Sequence, residues 1–235
     1  MGVIERLKNK FSGPEEKVHF KKSYSQCGED MIIDFIFGQL RKEKISYIDI
    51  GCHHPTYLSN TAFFYENGSR GVCVEPDPFL FKTIADVRKE DICLNAGIGV
   101  DDKTEADFYI LSERTLNTFS KEDAERYQSY GSKKIESVVK LPLMNVNSVI
   151  EKHLLPHPNF ISLDVEGMDM AILQSFDFKK FRPEVFCIES LTYTENGTEE
   201  KITSIINFMQ EQGYFVYADT YINSIFVDKQ SWKNR

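Results

Sequence analysis

The sequence predicts a doubly wound α/β domain, a mostly parallel sheet with helices on both faces. Two observations carry that expectation. Short runs rich in Val, Ile, Tyr and Phe alternate with longer segments of helical period, the pattern of strands buried on both sides by crossover helices. The chain is also the right size for one such unit: 235 residues, 41% hydrophobic and 27% charged, are enough to fill a single core. A domain this long buries roughly 70% of its unfolded surface, so it needs no disulfide or structural metal to hold together.

The strand-like runs are residues 47–50 (YIDI), 71–75 (GVCVE), 92–95 (ICLN), 160–164 (FISLD) and 185–189 (VFCIE). Helical spacing is predicted over 59–66, 79–89, 146–153, 168–176 and 199–212. Two further runs, 214–218 and 224–227, stand close together across a short turn and predict a C-terminal hairpin that leaves one antiparallel strand. Residues 104–140 are polar and irregular, and are expected to form a loop and a short helix inserted over the ligand-binding edge of the sheet. Residues 1–22 differ in kind, with six basic and three acidic residues and Val3, Ile4, Leu7 and Phe11 at near-helical spacing before Gly13-Pro14. That composition suits a basic amphipathic leader resting on an anionic membrane or a partner, or a loose segment laid on the domain. The division expected is thus a leader over 1–22 and one domain over 23–235.

Composition narrows the function. A net charge of −8 gives no global cationic field for a phosphate backbone, which disfavours nucleic acid as a partner. The five cysteines, Cys27, Cys52, Cys73, Cys93 and Cys187, contain no C-x-x-C pair and lie mostly in apolar runs, as reduced thiols of a cytoplasmic protein do. No run reaches the roughly 18 to 20 apolar residues of a membrane span, and no apolar signal core opens the chain. Oligomeric state leaves no trace in the sequence.

In an open parallel sheet, ligands bind outside the carboxyl ends of the strands where strand order reverses. Four of the five predicted ends carry a carboxylate: Asp49 before Gly51, then Glu75, Asp164 with Glu166, and Glu189; the third carries Asn95-Ala96. Gly51 lets a ligand approach the backbone, and Glu75, about 25 residues past Asp49, is placed to accept hydrogen bonds from a ribose diol. The three-glycine turn that grips a pyrophosphate is missing, and Cys52, His53, His54 and Pro55 stand in its place. Acidic strand ends without a phosphate loop favour a cationic nucleoside such as S-adenosylmethionine. A nicotinamide-dependent oxidoreductase shares the architecture but should carry the missing turn, and a non-catalytic cofactor-binding scaffold should show gaps among these motifs.

The stretches YSQCGEDMII (24–33), YIDIGCHHPTYLSNTAFFYENGSRGVCVEPDP (47–78), LNTFS (116–120), ISLDVEGMDMAIL (161–173) and the late INSIFVDK closely resemble the FkbM family of S-adenosylmethionine-dependent methyltransferases. The likeness runs from about Tyr24 to the end and departs from the family at His54-Pro55, where many members have a glycine-bearing loop. It implies a Rossmann-like seven-stranded methyltransferase fold and O-methylation, usually of a sugar hydroxyl in a glycan, polysaccharide or glycosylated metabolite.

The site residues expected follow from the two readings together. Gly51 and nearby backbone should hold the methionine end of the cofactor, Glu75 the ribose, and the Asn95-Ala96 turn the adenine, with Asp164 near the transferred methyl and Gln26, Asp49 and Pro76 completing the set. Methyl transfer to a hydroxyl needs alignment and removal of a proton, for which His54, His53 and Glu166 are the bases in reach of the cofactor end of the sheet. Asn117, with Thr115, Thr118, Gln26 and Glu29, supplies hydrogen-bonding groups for an acceptor's hydroxyls. Asp164 and Glu189, closing neighbouring strands, could hold Mg²⁺ or Mn²⁺ against a sugar diol, or could bind cofactor and acceptor directly.

Overall fold

The computed structural model describes residues 20–165, 167–194 and 197–235. The leader's residues 1–19 and Glu166 lie outside them. A seven-stranded sheet organises the domain, built from β1 (Ser46–Ile50), β2 (Arg70–Val74), β3 (Ile92–Leu94), β7 (Phe160–Leu163), β8 (Val185–Glu189), β9 (Tyr214–Asp219) and β10 (Asn223–Asp228). Their spatial order is β3-β2-β1-β7-β8-β10-β9. All neighbours from β3 to β8 are parallel, and β10 alone runs against the rest. The hairpin expected from the sequence is present, with its second strand placed inside its first, between β8 and β9.

Alternation along the strands divides the core in two, since successive side chains leave a strand on opposite faces. Ile48, Ile50, Val72, Val74, Ile161, Leu163 and Phe186 pack on one face against α5 (Val146–His153), α6 (Asp169–Ser175) and α7 (Thr203–Glu211). Tyr47, Phe160, Val185, Cys187 and Ile225 pack on the other against α1 (Glu29–Gln39) and α2 (Ala62–Glu66). Behind β2, α3 (Pro78–Val87) buries Ile84 against Cys52 and Cys73. Asp77 caps α3 by accepting the backbone N–H groups of Phe79 and Leu80, with Pro78 at the first helical position. Among the described residues no helix is long and apolar enough to cross a membrane.

Residues 97–145 correct the expectation of an irregular loop. They form a second, three-stranded sheet, β4 (Gly97–Gly99), β6 (Ile135–Asn145) and β5 (Glu105–Leu111), in the order β4-β6-β5. Between β5 and β6 lie a short 3₁₀ turn, Arg114–Leu116, and the helix α4 (Lys121–Ser129). Phe108, Ile110 and Leu141 make a small core on one side of this sheet, with Phe119 and Val139 packed against it; Leu111, Leu116, Ala124 and Tyr127 make another. Phe119 lies so close over Gly97 that any side chain there would run into its ring.

The leading S-Q-x-G-E-D stretch is a clasp. Asp30 accepts from the Ser23 hydroxyl at 2.6 Å, the Tyr24 N–H at 2.7 Å and the Ser25 hydroxyl at 2.8 Å. Glu29 is fully buried and accepts from Cys27 N–H, the Thr220 hydroxyl and the Asn223 amide at 2.8, 2.7 and 3.0 Å. Burial pushes its carboxyl up, and these hydrogen bonds outweigh that and hold it below its ordinary value. Glu29 thus ties the start of the domain to the β9–β10 turn and is not available to an acceptor's hydroxyls, contrary to expectation.

Candidate active site

A cavity of about 400 Å³ opens at the carboxyl ends of β1, β2, β7 and β8, where strand order reverses between β1 and β7. The three-stranded insertion forms one wall through Phe108, Arg114, Asn117 and Phe119, and the β8–α7 connection another through Leu191, Tyr193 and Glu199. Of the residues expected from the sequence, Gln26, Gly51, His53, Glu75, Pro76, Ala96, Asn117, Asp164 and Glu189 line it together.

At Gly51 the backbones of β1 and β7 come close together. The φ of Gly51 is +82°, and a Cβ at this position would collide with the carbonyl oxygen of Asp164. Only glycine lets β1 turn out of the sheet here while β7 ends beside it. The turn continues with His53, whose own φ of 56° is left-handed and whose N–H donates to Oε2 of Glu75 at 2.8 Å. Oε1 of Glu75 accepts from Asp77 N–H, also at 2.8 Å. Burial raises the Glu75 carboxyl to about 7 despite those two donors. Each carboxylate oxygen has a second lone pair, so the pinned side chain can still receive a diol. Asn95 stands behind this strand end: its amide donates to the carbonyls of Glu75 and Pro76 at 2.9 and 2.8 Å and fixes their backbone, while its neighbour Ala96 faces the cavity.

Asp49 faces the other way. It shares a sheet face with Tyr47, opposite the cavity-lining Ile50, and accepts the Thr61 hydroxyl at 2.5 Å. Thr61 also receives an N–H from Arg88, which is wholly buried and donates twice more to the carbonyl of Pro55 and once to Ser59. The expectation that Asp49 meets the cofactor is therefore corrected, because strand alternation turns it into the core network behind the loop. His54 is corrected likewise. Its Nδ1 accepts the N–H groups of Thr56 and Tyr57 at 3.1 and 2.8 Å, its ring lies edge-on to Tyr57, and it does not line the cavity. A neutral imidazole has one acceptor nitrogen, and here the local turn uses it. Of the adjacent histidines, only His53 faces the ligand space; burial, then the neighbouring His54, hold its pKa below the ordinary value, so it is an uncharged base at neutral pH.

Asp164 and Glu189 do come together, as the parallel register of β7 and β8 requires, and their side chains hydrogen-bond to one another. Burial, followed by the nearby Asp169 carboxylate, raises Asp164 to about 7, and burial raises Asp169 to about 6. The expected Mg²⁺ or Mn²⁺ site is not supported: among the described residues no group of three or more His, Cys, Asp or Glu side chains gathers around this pair or elsewhere. Asn117 lines the cavity with its amide already engaged, Oδ1 with Leu111 N–H at 2.8 Å and Nδ2 with Asp77 at 2.9 Å.

Sequence reasoning missed Asp77 and Arg114. Asp77 is fully buried, caps α3, and joins Arg114 and Asn117 of the insertion to the strand end that bears Glu75. Aspartate followed by proline explains the cap of α3 locally, whereas the link to Arg114 needs a partner 37 residues away. The apolar walls, Leu80, Ile98, Phe108 and Phe119, were missed as well, because core and cavity-lining positions look alike in sequence.

An open sheet whose reversal point carries a glycine-gated, carboxylate-lined cavity defines a Rossmann-like cofactor-binding domain. The chain belongs to the FkbM methyltransferase family, whose domain, described as "Methyltransferase FkbM domain", matches residues 49–216. Among solved structures it is similar to a precorrin-6y C5,15-methyltransferase from Geobacter metallireducens, with 13% identity, TM-score 0.44, and 91% of this chain and 94% of that one covered. It is also similar to an O-methyltransferase from Bacillus cereus in complex with SAH, with 12% identity, TM-score 0.44, and 96% and 89% covered. Comparison with curated proteins finds no match.

Proposed function

We propose that the protein is an S-adenosylmethionine-dependent O-methyltransferase acting on a sugar hydroxyl. The observation that carries this reading is the joining of His53 and Glu75 at one edge of a single cavity: a carboxylate pinned by two N–H donors beside an uncharged imidazole. When bound, S-adenosylmethionine supplies a methyl group activated by a cationic sulfur. Glu75 suits the ribose hydroxyls, and Pro76, Leu80, Ile98, Phe108 and Phe119 offer an apolar slot of the kind that takes an adenine. Gly51 keeps the turn open toward the amino-acid end.

His53 accepts the proton of the acceptor hydroxyl, and Gln26, Thr192 and Thr194 orient the ring that carries it. The replacement His53→Asn tests the assignment, because asparagine tolerates the left-handed backbone and retains the N–H that holds Glu75. Expected is unchanged cofactor affinity by calorimetry with turnover of a sugar acceptor reduced about 10²-fold or more. Unchanged turnover would remove His53 from the reaction.

A further inference from the structure

The charge lining the cavity is one-sided. Four acidic side chains, Glu75, Asp164, Glu189 and Glu199, face it against two basic ones, Arg114 and His53; burial raises Glu75 and Asp164 to about 7, so the negative charge rests on Glu199 and on the Asp164–Glu189 pair. Arg114 is committed to the buried carboxylate of Asp77 and lies over the Phe79 ring, so its charge is already balanced. Glu199 belongs with Leu191, Thr192, Tyr193 and Thr194 to the β8–α7 connection, which follows directly on Glu189 at the end of β8. Within that connection Tyr193 is held from behind. Tyr127, buried in the insertion, packs T-shaped against it at 5.4 Å and 85°, which holds an aromatic ring in the cavity wall beside Thr192, Thr194 and Glu199.

An aromatic ring beside hydroxyl and carboxyl groups suits the apolar side of a pyranose, and the surplus of negative charge decides which pyranose. We propose that the acceptor is a sugar bearing a protonated amine near the hydroxyl to be methylated, seated against Tyr193 with Glu199 and Glu189 toward its charge, and that the same carboxylates exclude uronic acids and sugar phosphates. The inference rests on the sugar O-methyltransferase reading and narrows it.

The test is a set of initial rates with the full chain, labelled S-adenosylmethionine and methyl glycosides of a hexosamine, its N-acetyl form, the parent hexose and the matching hexuronate. Expected is a kcat/KM order of amine over the two neutral sugars over carboxylate, with about tenfold at each step. Glu199→Gln should shrink the amine-to-hexose ratio several-fold, and Tyr193→Ala should raise KM for every sugar more than it lowers kcat. A flat or reversed charge order overturns this inference and leaves the sugar reading standing. No turnover of any sugar, with cofactor binding intact, overturns the sugar reading and this inference with it.

Discussion

Glu75 and His53 are joined across 22 residues by one hydrogen bond, from the backbone of the β1 turn to the carboxylate at the end of β2. A second, from Asp77, holds the other oxygen. The side chain is therefore oriented before any ligand arrives, and little is lost in ordering it on binding.

Removing that carboxylate should cost both the ligand contact and the frame. Glu75→Ala is expected to weaken S-adenosylmethionine by about 10²-fold or more, and Glu75→Gln, which keeps the shape but reverses one donor, by about tenfold, measured by calorimetric titration. Equal affinity in wild type and Glu75→Ala would mean that the cofactor lies elsewhere.

At Gly51 the expected failure is of backbone. Gly51→Ala forces a methyl group into the Asp164 carbonyl at a left-handed φ, and should destabilise the domain by about 3 kcal/mol in urea titration. A stable variant with full cofactor binding would show that β1 and β7 can part without loss.

Stability should fall as pH rises, for a reason located in the cavity. Burial lifts Glu75 from 4.5 and Asp164 from 3.8 to about 7, helped at Glu75 by Asp77 and Asp49 and at Asp164 by Asp169 and Asp49, while the Glu189 hydrogen bond acts the other way. A carboxyl raised in the folded state keeps a proton that the unfolded chain has released, so its stabilisation is whole below the unfolded values and lost as pH climbs through 7. His53, held below its ordinary value, acts in the opposite sense at the acid end. Urea midpoints between pH 5 and 8 should decline in the ligand-free protein and flatten in the double variant Glu75→Gln, Asp164→Asn. An identical slope in both would place the titrating groups outside the cavity.

Asn117 should behave as a strut. Its two hydrogen bonds join the insertion to Asp77, so Asn117→Ala is expected to cost about 1–2 kcal/mol and to lower cofactor affinity and turnover together. Loss of turnover alone, with stability and affinity unchanged, would mean that the amide touches the acceptor directly.

The main sheet was legible because its strands are buried on both sides and read as unbroken apolar runs. The insertion was not. In β6 Glu136, Val138, Lys140 and Pro142 are exposed, and the charges and the proline break up the apolar run, so a half-exposed strand passes for loop. Strand ends revealed which segments meet at the cavity, yet not which side chains point into it. Asp49 and Ile50 differ by one step of the pleat, and that step sends the carboxylate to Thr61 and the isoleucine to the ligand space. His54 was lost to its own turn, a local bond that composition does not announce.

The position of β10 orders events during synthesis. Its hydrogen bonds join β8 on one side and β9 on the other, so β9, made first, has no place in the sheet until residues 223–228 emerge. Until then β8 is an open edge, and Glu29 lacks Asn223, one of the partners that fasten the clasp. A chain halted before residue 223 would leave the rim of β8 exposed and the Glu29 clasp short of a partner, an open edge prone to pair with its own kind.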